Sequence, residues 1–209
     1  MRKRFPVENF RHFWMLLIWA LFVGLYVFVE FLPVEQYWVS QIPLDDSIPF
    51  CKYFVLPYCT WHILMAVTTA YLAFFDADNF RRFMTFIALG MIPVVIFNLF
   101  FPTCVRLRPT TVEGRGLCEW MLRLVYTLDD CTDVLPSMHV IGCFALSAAY
   151  LNTPSLRKRH LHIPMLILAV LISLSTVFIK QHSILDVFTA IPYAVLIWWL
   201  VYGVIFKKR

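Results

Sequence analysis

FMTFIALGMIPVVIFNLFF, Phe83 to Phe101, runs for 19 residues without a charge, directly after Arg81-Arg82. A helix of that length approaches the roughly 30 Å of hydrocarbon in a bilayer, so the stretch reads as a membrane span. Similar apolar runs lie at about 13–31, 53–75, 135–151, 161–179 and 184–206. Together they predict an all-α polytopic membrane protein, a six-transmembrane-helix bundle forming one membrane domain over 1–209. The composition agrees: the chain is 61% hydrophobic and 15% charged, with a mean hydropathy of +0.73. A soluble domain has roughly a quarter of its residues charged.

The net charge of +5 does not indicate nucleic acid, because the cations cluster at the ends of apolar runs. Arg2, Lys3, Arg4 and Arg11, then Arg81 and Arg82, then Arg157, Lys158 and Arg159, then Lys207, Lys208 and Arg209 fall on one side of a six-span arrangement. Lys52, Arg106, Arg108, Arg115, Arg123 and Lys180 fall on the other, with most of the acids. The positive-inside rule puts both termini in the cytoplasm, and the plasma (inner) membrane is the expected location. The first run is longer than a signal peptide and has no small-residue cleavage site, so it is expected to stay as an anchor. Six cysteines show no zinc-ligand spacing, and no metal or cofactor is expected. Cys104, Cys118 and Cys131 share one loop, and free thiols are the simpler expectation.

The longest connection, about 102–134, keeps four arginines on the side that topology disfavours. It also contains LCEWMLRLVYTL, Leu117 to Leu128, which suits a short interfacial helix. Three segments end at that face: VRLRP (Val105 to Pro109), LPSMHV (Leu135 to Val140) and KQHSILDV (Lys180 to Val187). His182 and Asp186 are one helical turn apart, so the carboxylate can orient the ring. A His–Asp pair that only locks helices together would read the same way. His139 stands at a helix start, where unpaired backbone N–H groups can hold an anion. Arg106 and Arg108 have the fork geometry for phosphate, or for lipid headgroups in general.

These segments resemble the type 2 phosphatidic acid phosphatase superfamily, whose membrane members carry Lys-x6-Arg-Pro, Pro-Ser-Gly-His and Ser-Arg-x5-His-x3-Asp. Arg108-Pro109, Pro136-Ser137-Met138-His139 and His182-x3-Asp186 match in order and spacing. Phe101 stands for the lysine, Met138 for the glycine and Ser175-Thr176 for Ser-Arg. Such relaxed motifs are similar to the sphingomyelin-synthase-like and inositol-phosphorylceramide-synthase-like branches.

The resemblance implies that His182 attacks phosphorus, Asp186 supports it and His139 protonates the leaving alkoxide. Arg106, Arg108, Lys180 and the Ser137 hydroxyl are the expected phosphate clamp, with no metal required. The expected function is hydrolysis of a lipid phosphate at the extracytoplasmic face. The alternative is transfer of a lipid headgroup phosphate to a lipid alcohol through the same intermediate, and a third reading is a non-catalytic lipid-binding or transport protein.

Overall fold

The computed structural model describes residues 10–207. The basic ends Arg2, Lys3, Arg4, Lys208 and Arg209, used above for orientation, lie outside the described residues.

The chain is mostly helical, and each apolar run falls on a helix. Four helical segments are long and apolar enough to cross a membrane: α1 (Phe10–Glu30), α2 (Lys52–Phe75), α3 (Ala77–Phe100) and α8 (Ile184–Ile205, closing in a π-helical turn). An amphipathic helix, α4 (Leu117–Leu128), lies in the long connection as expected, and α6 (Pro154–Lys158) is a single short turn. Two shorter apolar helices complete the bundle, α5 (Met138–Asn152) and α7 (His162–Phe178).

Helix boundaries follow local chemistry. Asp76 caps α3 by accepting the Asn79 N–H at 3.1 Å, so that helix begins before its apolar run does. At the other end of α7, Lys180 takes a left-handed φ of 60°, and the N–H groups of Gln181 and His182 both return to Thr176 O. This is a helix-ending turn of the kind glycine usually makes, at a cost of roughly 1–2 kcal/mol for a side-chain-bearing residue. No glycine or proline marks the turn, so the sequence located it only by chain length and charge.

Helix α5 is central, packed against α2, α3, α7 and α8. Its small residues Gly142, Ala145, Ala148 and Ala149 are buried and permit close approach. A Cβ on Gly142 would lie 2.6 Å from the Trp61 indole nitrogen. Because α5 is enclosed by other helices, its short backbone needs no lipid-length ladder of its own. On α7, by contrast, Ile163, Ile167, Val170 and Leu174 form an exposed apolar stripe. Water disfavours a stripe of that kind, and lipid accommodates it.

The connections at one end of the bundle are knitted together. Trp38–Val39 pairs in parallel with Thr103–Cys104, a two-residue sheet that no sequence pattern announced. Asn98 donates to Asp133 O and Leu135 O, while its Oδ1 accepts the Thr103 hydroxyl at 2.8 Å. These bonds fix the 129–137 segment just before His139. All six cysteines are free thiols.

Candidate active site

All three sequence segments meet at this knitted end. The Ser137 N–H donates to Asp186 O at 3.1 Å, joining the start of α5 to the first turn of α8. The Arg108 Nε donates to Gln181 Oε1 at 2.7 Å, joining the VRLRP segment to the turn before α8.

Ser183 and Asp186 form a capping box at the start of α8: Leu185 N–H donates to Ser183 Oγ and Ser183 N–H to Asp186 Oδ2, at 3.1 and 2.9 Å. The same Oδ2 lies 3.3 Å from His182 Nδ1, so one carboxylate caps the helix and orients the imidazole. With the proton on Nδ1, the Nε2 lone pair is left available. The His139 and His182 rings are 5.8 Å apart, nearly perpendicular. Tyr58 and Trp61 flank His139 at 4.4 and 4.5 Å between ring centroids. His139 Nε2 and Asp186 Oδ1 are buried without a protein partner among the described residues.

Asp45, entirely buried, reaches across from the first connection. Its Oδ2 accepts the Ser183 hydroxyl at 2.7 Å, its Oδ1 accepts the Ile184 N–H at 2.8 Å, and it satisfies the helix start that holds His182. Sequence reasoning missed it because 138 residues separate it from Ser183.

His139 and His182 line a cavity of about 890 Å³. It runs from the acidic segment Asp129–Asp133 down between α1 and α2 to Phe13 and Phe74 near the opposite end of the bundle. Its walls are predominantly apolar and aromatic. Leu117, Trp120, Leu124 and Leu128 form an exposed stripe on α4, and the last three also line this cavity.

The expected phosphate clamp is arranged differently from its sequence reading. Lys180 is buried, and its ammonium donates to Asp45 O and Ile48 O at 2.9 and 2.6 Å. Arg108 donates to Tyr126 O and Asp129 O at the end of α4 and stacks 4.4 Å from the Tyr126 ring centre. Both cations therefore serve backbone carbonyls, as cations at helix ends often do. Ser137 Oγ is buried without a partner among the described residues, and neither it nor Arg106, which is exposed, lines the cavity. Of the two further loop arginines, Arg123 donates to Val112 O and Gly114 O at 2.8 and 3.1 Å, and Arg115 is exposed.

The cavity instead presents Asp129, Asp130 and Asp133, and no lysine or arginine among the described residues lines it. Tyr58 donates its hydroxyl to Asp129 Oδ2. Burial, and then repulsion from Glu30, pushes the Asp133 carboxyl up to about 6. In the sequence these acids served only as evidence of orientation. Tyr58, Trp61 and His62 also line the cavity, and sequence reasoning missed them; their only signal is that they are polar aromatics inside an apolar run.

Comparison with known proteins gives no matching family model, no matching curated protein and no matching solved structure.

Proposed function

We propose that this chain is a membrane enzyme that cleaves the phosphate ester of a lipid through a phosphohistidine on His182. The observation that carries the reading is the convergence of His139, His182 and Asp186 at the head of an apolar cavity long enough to take acyl chains.

His182 Nε2 attacks phosphorus while Asp186 stabilises the charge growing on the ring. A phosphorus–nitrogen bond forms and the phosphorus–oxygen bond to the lipid alcohol breaks. Protonated His139 gives its proton to the departing alkoxide. Water then loses a proton to His139 and attacks phosphorus, the phosphorus–nitrogen bond breaks, and His182 is restored. First-turn N–H groups of α5 offer charge stabilisation to the phosphoryl oxygens. Arg108 and Lys180 act on this reading by fixing the turn that carries His182.

A second reading, transfer to a lipid alcohol in place of water, is favoured by the apolar walls of the cavity, which hold a lipid hydroxyl more readily than bulk water. The test is turnover of a panel of lipid phosphate esters by the purified chain, with and without a diacylglycerol or ceramide acceptor. Release of lipid alcohol and free phosphate or headgroup phosphate supports hydrolysis, and product only with acceptor supports transfer. Lipid binding without turnover, unchanged in His182→Ala, would leave only the non-catalytic reading.

The reading places the site at the extracytoplasmic face of the plasma membrane, with both termini cytoplasmic. In a background with Cys51, Cys59, Cys118 and Cys131 replaced by serine, an impermeant thiol reagent on intact cells should label Glu113→Cys and not Lys158→Cys. Gly114 is a poor position for the probe, since its φ is +105° and a Cβ there would lie 2.8 Å from Glu119 Oε1. The reverse labelling pattern would put the site in the cytoplasm.

A further inference from the structure

We infer that the end of the bundle remote from His182 carries a second lipid site, in which Arg82 and Tyr202 hold the phosphate of an anionic phospholipid. The site does not depend on the chemistry proposed at His182; only the leaflet it faces follows from the orientation proposed above.

Arg82 differs from its fellow arginines in what surrounds it. Arg81, its neighbour, pairs with Asp78, Arg108 donates to Gln181 and to the carbonyls of Tyr126 and Asp129, and Arg123 donates to Val112 O and Gly114 O. Arg82 is half-buried on the second turn of α3, and its Nε is buried without an acceptor among the described residues. It also forms no ion pair among them. A guanidinium in that state has lost water and gained no partner, which is costly unless a ligand supplies the acceptor. The residue as a whole keeps some exposure, so a ligand can reach it.

The second observation comes from α8. Its closing turn, Trp199–Ile205, is π-helical, and the Phe206 N–H donates to Val201 O at 2.9 Å. Such turns are rare and are frequent at functional sites. This one sets Tyr202 and Phe206 against the same residue of α3. The Phe206 ring centre lies 5.8 Å from the Arg82 guanidinium carbon, and Arg82 is near enough to Tyr202 to act on its hydroxyl electrostatically. That hydroxyl is itself buried with no partner among the described residues. Two orphaned donors from helices distant in sequence therefore share one place.

An oxyanion satisfies both at once. The guanidinium donates to phosphate as a fork, and the phenol adds a further hydrogen bond. The surroundings commit the anion to a lipid. Trp198, Trp199, Val204 and Ile205 expose apolar side chains beside the site, and Trp198 stacks 6.5 Å from Tyr202. A cation bordered by exposed apolar and aromatic surface lies where hydrocarbon meets headgroups, at the level of the lipid phosphates. Lys207, exposed just beyond the turn, adds a second positive charge with no ion pair among the described residues. Two cations around one phosphate favour a lipid of net negative charge over a zwitterionic one. Neither Arg82 nor Tyr202 lines the histidine cavity, and Tyr202 stands roughly 30 Å from His182 along α8 at 1.5 Å per residue.

The test is lipid retention by the full chain, delipidated in detergent and titrated with phosphatidylglycerol or with phosphatidylcholine of the same acyl chains. Native mass spectrometry reads the bound lipid, and the unfolding midpoint reads its effect on stability. Phosphatidylglycerol should bind at least about tenfold more tightly than phosphatidylcholine, Arg82→Gln should weaken it about tenfold or more, and Arg81→Gln should change it less than about twofold. Tyr202→Phe keeps the ring and removes only the orphaned hydroxyl. Without anionic lipid this variant should be at least as stable as the parent, because a buried unpaired group is gone; with phosphatidylglycerol it should be less stable, because a hydrogen bond to the phosphate is lost. A purely structural role for the hydroxyl gives no such reversal, and the reversal decides alone if Arg82→Gln does not fold. Lower stability of Tyr202→Phe in both conditions, equal retention of the two lipids, or retention unchanged in both Arg82→Gln and Tyr202→Phe would overturn the proposal. Inorganic phosphate that raises the midpoint as much as phosphatidylglycerol, with the same dependence on Arg82, would assign the site to free phosphate and overturn the lipid. Lipid held in the histidine cavity is common to every variant and cancels in the comparison.

Discussion

The cations and the acids around His182 have opposite fates. Arg108 and Lys180 are turned onto backbone carbonyls and line no part of the cavity, whereas Asp129, Asp130 and Asp133 face into it. A cation in a helix bundle is most cheaply satisfied where carbonyls converge, and Arg108 meets them at the end of α4 while Lys180 meets them at Asp45 and Ile48 in the connection between α1 and α2. The acids have fewer donors to meet, so they stay where solvent or a ligand reaches them. Two groups of charge that look alike in the sequence thus divide into scaffold and lining.

The largest expected effect belongs to neither group. Replacing His182 by alanine should lower kcat/KM by about a thousandfold or more, with Asp186→Asn and His139→Ala at about a hundredfold or more. The double variant His139→Ala/His182→Ala should be little worse than His182→Ala, because the residues act as one unit. Multiplying losses would show that the two histidines serve separate steps or separate sites.

Next come the cations. Arg108→Lys and Lys180→Met should each cost about 2 kcal/mol of stability, through loss of hydrogen bonds from a half-buried charge in the first case and a buried one in the second, while kcat of the folded fraction changes less than about threefold. Thermal unfolding alongside steady-state kinetics separates the outcomes. A hundredfold fall in kcat with an unchanged unfolding midpoint would restore these residues to the phosphate clamp and break the division drawn here.

The smallest effect tests the acid side. Asp133 has its carboxyl raised to about 6 in the folded chain, so folding favours its protonated form. Stability from this group is full below about pH 4 and falls as pH rises to about 6. Asn keeps the left-handed φ of 53° that the position requires. Asp133→Asn should therefore be more stable than the parent at pH 7.5, by about 1 kcal/mol given solvent screening at this half-buried site, and equal to it at pH 4. A variant less stable at both pH values would show that the carboxylate is held by donors instead of strained by burial.

Much of this arrangement was readable from residues alone, for physical reasons. Helices α1, α2, α3 and α8 are legible because lipid demands long uncharged runs, and α4 because its apolar residues recur at helical spacing. His182 and Asp186 are legible as a pair because one helical turn fixes their proximity. The direction of Arg108 and Lys180 is not, since it depends on carbonyls of Tyr126, Asp129, Asp45 and Ile48 that only the folded chain assembles. Asp45 and the acidic lining belong to the same class of fact. Loop residues distant in sequence acquire meaning from the two-residue strand pair and the Asn98–Thr103 bonds that draw their loops together.

The most direct test of the central claim is the stereochemical course at phosphorus. A lipid phosphate ester made chiral at phosphorus with oxygen isotopes and sulfur, turned over by the purified chain, should give product with net retention, because attack by His182 and then by the acceptor are two in-line inversions. Net inversion would mean a single direct displacement, with no phosphohistidine, and would contradict the role given to His182.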